Sequence, residues 1–201
     1  MIIERSARPD FSRYKDRGTV CAIGTFDGVH LGHRRILDML LREAKARFAT
    51  SVVMTFEPHP LEVLAPLVAP CRLTTLEEKA RLIEEQGVQV LWAVPFTLDV
   101  ATLDAERFVK TFIVETLGCK CVVVGFNFTF GHHGAGTAKD LERFGEKYGF
   151  DVKIVGAVRH LGMVVSSSMI RRLLSEGRYD IARALLGRPQ EDARVPHLFT
   201  R

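Results

Sequence analysis

The chain has 201 residues, 47% of them hydrophobic and 26% charged, a balance that excludes collagen, low-complexity disorder and a coiled coil. At this length a chain buries roughly 70% of its unfolded surface, enough for one sizeable core. The 28 Lys and Arg exceed the 24 Asp and Glu by four, a mild excess that suits an anionic ligand about as well as it suits none in particular; the basic cluster laced with aromatics that nucleic-acid binding requires is missing.

No apolar run approaches the roughly 20 residues needed to cross a bilayer, so no membrane association is expected. The opening residues Met1 to Arg5 lack the pattern of a secretory signal, which makes the cytoplasm the expected compartment. Cys21, Cys71, Cys119 and Cys121 show neither zinc-finger nor redox spacing and read as reduced packing residues.

In chain order, β-branched apolar runs at 20–24, 51–56, 88–94, 119–125 and 152–157 alternate with amphipathic segments at 33–47, 76–86, 104–117 and 138–148. This alternation predicts an α/β protein, a parallel sheet flanked by helices. Thr74 with Glu77 three residues later resembles a capping box, and Gly87, Gly118 and Gly149 fall where helices should stop. Residues 57–70, with Pro58, Pro60, Pro66 and Pro70, predict an irregular loop or broken helix beside the sheet. Beyond residue 160 the pattern gives two short helices, 168–175 and 180–186, and no later strand.

Four segments carry candidate chemistry. Gly24-Thr25-Phe26-Asp27-Gly28-Val29-His30-Leu31-Gly32-His33 runs from the first strand's end into the first long helix. In an open parallel sheet, ligands bind beyond the strands' carboxyl ends, where a helix N-terminus offers free N–H groups to phosphate. Gly28 and Gly32 allow close backbone approach, and His30 and His33, three apart, are placed to hold charge growing on a phosphate oxygen. The alternative is that one histidine caps the helix and the other packs. Ser166-Ser167-Ser168-Met169-Ile170-Arg171 offers N-caps, free N–H groups and a guanidinium for a second phosphate, although a serine run before a helix is commonly just a cap. Gly125-Phe126-Asn127-Phe128-Thr129-Phe130-Gly131 offers rings to a planar ligand and an amide to a ribose or phosphate, with one or two of the rings expected in the core. The adjacent His132 and His133 lack a third partner in an extended segment, so no metal site is expected. Thr55-Phe56-Glu57-Pro58-His59-Pro60 can form a flat apolar wall, with His59 equally readable as a loop histidine bonded to backbone.

Taken together these segments resemble the adenylyltransferase module of the prokaryotic bifunctional FAD synthetases, over roughly residues 18 to 189. His30-Leu31-Gly32-His33 is similar to the His-x-Gly-His signature of the nucleotidyltransferase superfamily, and Ser166 to Arg171 to its Ser-Ser-Thr-x-Ile-Arg segment. Residues 24–28, 55–60 and 125–131 resemble the flavin branch. The resemblance implies a Rossmann-like doubly wound sheet with a short C-terminal helical segment, and FMN adenylyltransferase activity that turns FMN and MgATP into FAD and pyrophosphate. Its implied catalytic residues are His30, His33, Asn127 and Arg171. Gly24, Thr25, Phe26, Gly28, Gly32, Ser166, Ser167 and Ser168 would bind ATP, and Phe56, Pro58, His59, Phe108 and Phe130 would bind the flavin. Ser168 stands where the family usually has Thr, and Val164 and Met169 where many members carry basic residues. The 12 residues after Pro189 are too few for the kinase barrel this family appends. The expectation is therefore one domain, 1–189, with a tail, 190–201, and a separate riboflavin kinase as the source of FMN.

Overall fold

The computed structural model describes residues 1–14 and 16–188. Six parallel strands form its sheet: β1 (Ile2–Glu4), β2 (Thr19–Ile23), β3 (Thr50–Glu57), β4 (Val90–Pro95), β5 (Cys119–Gly125) and, after a short hairpin of β6 (Thr129–Phe130) and β7 (Gly136–Thr137), β8 (Asp151–Val155). Their spatial order is β1-β4-β3-β2-β5-β8. Chain order reverses between β2 and β5, so the crevice at the carboxyl ends of these two neighbours is the topological switch point.

The period of two along the central strands explains why both sheet faces are covered. Cys21 and Ile23 point into one core with Trp92, Phe112 and Ile113, whereas Val20 and Ala22 point into another with Leu37, Leu40 and Ile83. The second core is closed by α1 (Leu31–Ala46) and α3 (Leu76–Glu84), the first by α5 (Ala105–Phe108), its continuation Val109–Thr116 and α6 (Ala138–Tyr148). The sheet is thus doubly wound, as expected. A third cluster, built on Leu73, Ile170, Leu173 and Leu185, packs α7 (Ser167–Ser175) against α8 (Tyr179–Leu186).

Short elements complete the description. They are α2 (Pro60–Leu64) with a 3-10 turn at Pro66–Val68, α4 (Leu98–Ala101), the hairpin of β6 with β7, and the hairpin of β9 (Arg159–His160) with β10 (Met163–Val164). The proline-rich segment is accordingly a broken helix. Two expectations are corrected here. The capping box of α3 is formed by Thr75 and Glu78, one residue later than Thr74 and Glu77, because Thr74 is committed elsewhere. Residues 109–116 wind as a π-helix, with Leu117 N–H donating to the Phe112 carbonyl five residues back. Pro189, the tail 190–201 and the expected absence of a strand after α8 lie outside the described residues.

Candidate active site

The loop between β2 and α1 is strained and clasped from several sides. Phe26 and Val29 both adopt positive φ, 49° and 40°, a region that a β-branched residue such as Val enters only when its surroundings impose it. The imposing group is Asp27, which is 3% exposed. Its carboxylate accepts the N–H groups of Leu73 and Thr74 at 3.0 Å and the Thr74 hydroxyl at 3.1 Å, and it pairs with the Arg171 guanidinium. Thr74 Oγ1 in turn accepts from Gly28 N–H at 3.0 Å. Ser167 Oγ donates to the Asp27 carbonyl at 2.9 Å, and Arg188 donates to the Gly28 carbonyl. The loop is thereby tied to the segment before α3 and to α7.

His30 is the N-cap of α1, its Nδ1 accepting from His33 N–H at 3.2 Å. Occupying Nδ1 as an acceptor leaves the single proton of the neutral ring on Nε2, so His30 is a fixed Nε2–H donor. The two imidazoles stack, ring centroids 3.7 Å apart, and His33 also leans on the Phe26 ring at 5.1 Å. Capping and packing therefore coexist with convergence on one cleft. Gly32 leaves room for this stack, since a Cβ there would lie 3.1 Å from the His30 ring and press on it. Burial, reinforced by Arg171 and Arg188, lowers His30 to about 4 against the partial counter-pull of Asp27. Burial, then His30 and Lys79, push His33 well below the ordinary histidine value, and its Nδ1 is sealed from solvent without a hydrogen-bond partner among the described residues. Both rings are neutral near pH 7.

The second corner stands on α7. Ser166 caps the helix by accepting from Met169 N–H at 3.2 Å, Ser167 belongs to the clasp, and Ser168 is exposed. Arg171 donates Nε to the Cys71 carbonyl at 2.7 Å and Nη2 to Asp27, which leaves Nη1 without a partner among the described residues. The N-termini of α1 and α7, each with unsatisfied N–H groups and a positive dipole end, line the same cleft of about 920 Å³.

The cleft unites Gly24, Thr25, Phe26, His30, Gly32, His33, Phe56, His59, Asn127, Ser166, Ser167, Ser168 and Arg171. Gly28, at φ 85°, supports the loop from behind, where a Cβ would press on Leu73 and Leu186. Phe108 and Phe130 are buried in the core, 5.5 Å apart, and with Pro58 they stand outside the lining. The rings that reach the cleft beside Phe56 are Phe126, 52% exposed, and Phe128, stacked on Phe130. His59 caps α2 by accepting from Leu61 N–H. His132 and His133 lie in a tight turn, not an extended strand, with ring centroids 3.9 Å apart. Among the described residues no group of three ligating side chains surrounds them. Asp27 and Lys79 were not singled out by sequence reasoning; the only signal for Lys79 is a cation on the apolar stripe of α3.

A doubly wound parallel sheet whose switch-point crevice receives two helix N-termini, a His-x-Gly-His turn and a Ser-Arg turn is a Rossmann-like nucleotidyltransferase fold. The chain belongs to the FAD synthetase family, whose profile matches residues 12–169. Among its relatives, the bifunctional riboflavin kinase/FMN adenylyltransferase of Escherichia coli K12 is 38% identical over 180 residues, covering 90% of this chain and 58% of the relative. The protein of the same name from Listeria monocytogenes is 35% identical, covering 88% of this chain and 56% of the relative. The chain thus spans a little over half the length of these relatives. A solved Streptococcus pneumoniae structure, described as a macrolide-efflux protein, superposes with a TM-score of 0.77 at 28% identity, covering 94% of this chain and 61% of that one. Among the described residues no helix is long and apolar enough to cross a membrane.

Proposed function

We propose that this chain is an FMN adenylyltransferase, moving AMP from MgATP to the phosphate of FMN to give FAD and pyrophosphate in the cytoplasm. The observation that carries the reading is the convergence of the imidazole corner and the serine-arginine corner on one cleft. Family membership and the names of the relatives support flavin as the acceptor. In the relatives' name FMN formation is joined to FAD formation, so a riboflavin kinase activity is the natural supplier of FMN.

An FMN phosphate oxygen attacks the α-phosphorus in line; the new P–O bond forms as the bond to the bridging oxygen breaks, and pyrophosphate leaves with that electron pair. The protein's part is positioning and charge. His30 Nε2–H and the remaining Arg171 Nη1 are donors for the phosphate oxygens, and Ser168 Oγ with the first free N–H groups of α7 suits the departing pyrophosphate. In this reading Asn127 would contact the α-phosphate or the sugar, and Phe56 with Phe126 and Phe128, which line the same cleft, would contact the planar ring. Mg²⁺ arrives on the nucleotide, its ligands mainly phosphate oxygens.

Incubating the purified chain with FMN, ATP and Mg²⁺ and resolving flavins by chromatography tests the reading. FAD and pyrophosphate should appear in equal amounts, and His30→Ala should lower kcat/KM by about 100-fold, as loss of one charge-stabilising donor does. Nucleotide binding without FAD would overturn the catalytic assignment, and an unchanged kcat/KM in His30→Ala would overturn the role of His30.

A further inference from the structure

Lys79 is the one buried lysine or arginine among the described residues, 5% exposed. It sits on the inward face of α3 with Leu76, Ala80 and Ile83, in a position the helical period assigns to an apolar side chain. Its Nζ reaches one acceptor, Thr55 Oγ1, at 3.5 Å. The nearby carboxylates are already engaged: Asp27 with Arg171, Leu73 and Thr74, and Glu57 with Arg72 at 2.6 Å. A buried ammonium so thinly compensated costs stability, and a hydrophobe of the same length would fill the site at less cost. Such a cost is expected where a charge serves function.

The geometry indicates what it serves. Thr55, itself fully buried, donates its hydroxyl to the Thr25 carbonyl at 3.0 Å, and Thr25 lines the cleft. Lys79 is therefore two hydrogen bonds behind the wall on which the His-x-Gly-His turn stands. Resting on the nucleotide reading above, we propose that Lys79 is a positioning residue for the polyphosphate: it charges the cleft from beneath through Thr55 and Thr25, and the bound nucleotide supplies the counter-charge that the protein withholds. Burial pulls the ammonium below the ordinary lysine value while Asp27 and Glu57 hold it up, and Lys79 in turn helps His30 and burial keep His33 neutral. An anion in the cleft would reinforce the protonated form.

The test uses inorganic pyrophosphate as probe, with Lys79→Met, Lys79→Arg and Thr55→Val compared with the parent by calorimetric titration and by ligand-free thermal unfolding. Lys79→Met should melt at or above the parent and bind pyrophosphate about tenfold more weakly, one decade of affinity being the scale of a single partly screened charge. Lys79→Arg should stay near the parent, and Thr55→Val should lose part of the affinity. In steady state, KM for ATP in Lys79→Met should rise more than kcat falls. Unchanged pyrophosphate affinity in Lys79→Met would overturn the proposal, as would equal losses in the Met and Arg variants, which would make shape and not charge the cause. Because pyrophosphate binding needs no turnover, a parent that forms no FAD yet shows this pattern would sink the proposed activity and leave the role of Lys79 standing.

Discussion

His30 lends its Nδ1 to the first turn of α1, and burial then makes charging the ring expensive. In the native protein it binds a proton only near pH 4, against an ordinary value of 6.5. Between these values the unfolded chain holds the extra proton, so this contribution is fully present above pH 6.5 and is lost as pH falls toward 4. From pH 7.5 to pH 5 the loss assigned to His30 is about 2 kcal/mol. His30→Asn keeps an N-cap acceptor and should flatten the acid limb by that amount when urea unfolding is followed at both pH values. An identical acid loss in variant and parent would show that the imidazole is not held neutral by the fold. The place of His30 on the cleft was legible, since a histidine pair around a glycine at a strand-to-helix turn is a chemical pattern. Asp27 was not. Its importance comes from Leu73, Thr74 and Arg171, partners 46, 47 and 144 residues away, and no local period encodes such contacts.

Elements were legible in proportion to how far periodicity alone determines them. The segments 119–125 and 138–148 match β5 and α6 at both ends, because Gly bounds each and the apolar pattern is unambiguous. β1 escaped notice: three residues at a sheet edge, with Ile2 and Ile3 more than 40% exposed, carry too little pattern. The alternate phenylalanines after β5 show the limit differently, since the chain turns at Phe126 and distributes the rings between cleft and core. Gly145 on α6 is an element-scale test. Gly to Ala inside a helix ordinarily stabilises by up to about 1 kcal/mol. Here a Cβ would stand 2.5 Å from the Phe150 carbonyl oxygen, at the point where α6 is folded back onto β8. Backbone cannot yield as a flexible side chain can, so Gly145→Ala should destabilise by about 2 kcal/mol. Denaturant midpoints at constant m-value decide the sign, and a gain in stability would mean that α6 and the turn before β8 are looser than described.

On the scale of the whole molecule, the cleft lies between a sheet with two cores and the α7–α8 pair with its own cluster around Ile170, Leu173 and Leu185. They are joined by apolar contact of Leu31 and Leu73 with that cluster and by a set of polar contacts: Ser167 to the Asp27 carbonyl, Arg171 to Asp27 and Cys71, and Arg188 to Gly28. Polar contacts of this kind open locally at less cost than the core strands do. A polyphosphate that engages both helix N-termini would bridge the parts directly and favour the closed arrangement by its differential affinity. At 100 times its dissociation constant a ligand adds about 2.7 kcal/mol to the states that bind it. If opening of the joint releases the ligand, that increment falls on local opening. Pyrophosphate should then slow amide exchange at 26–34, 71–75 and 166–172, including the Gly28, Leu73 and Thr74 amides that depend on the clasp and the Met169 amide held by the Ser166 cap. Amides of β3 and β4, paired inside the sheet and away from the joint, should gain no more than the global increment. Slowing confined to α1, with residues 166–172 unaffected, would mean that the two corners do not hold one ligand together, and the bridging account of the cleft would fail.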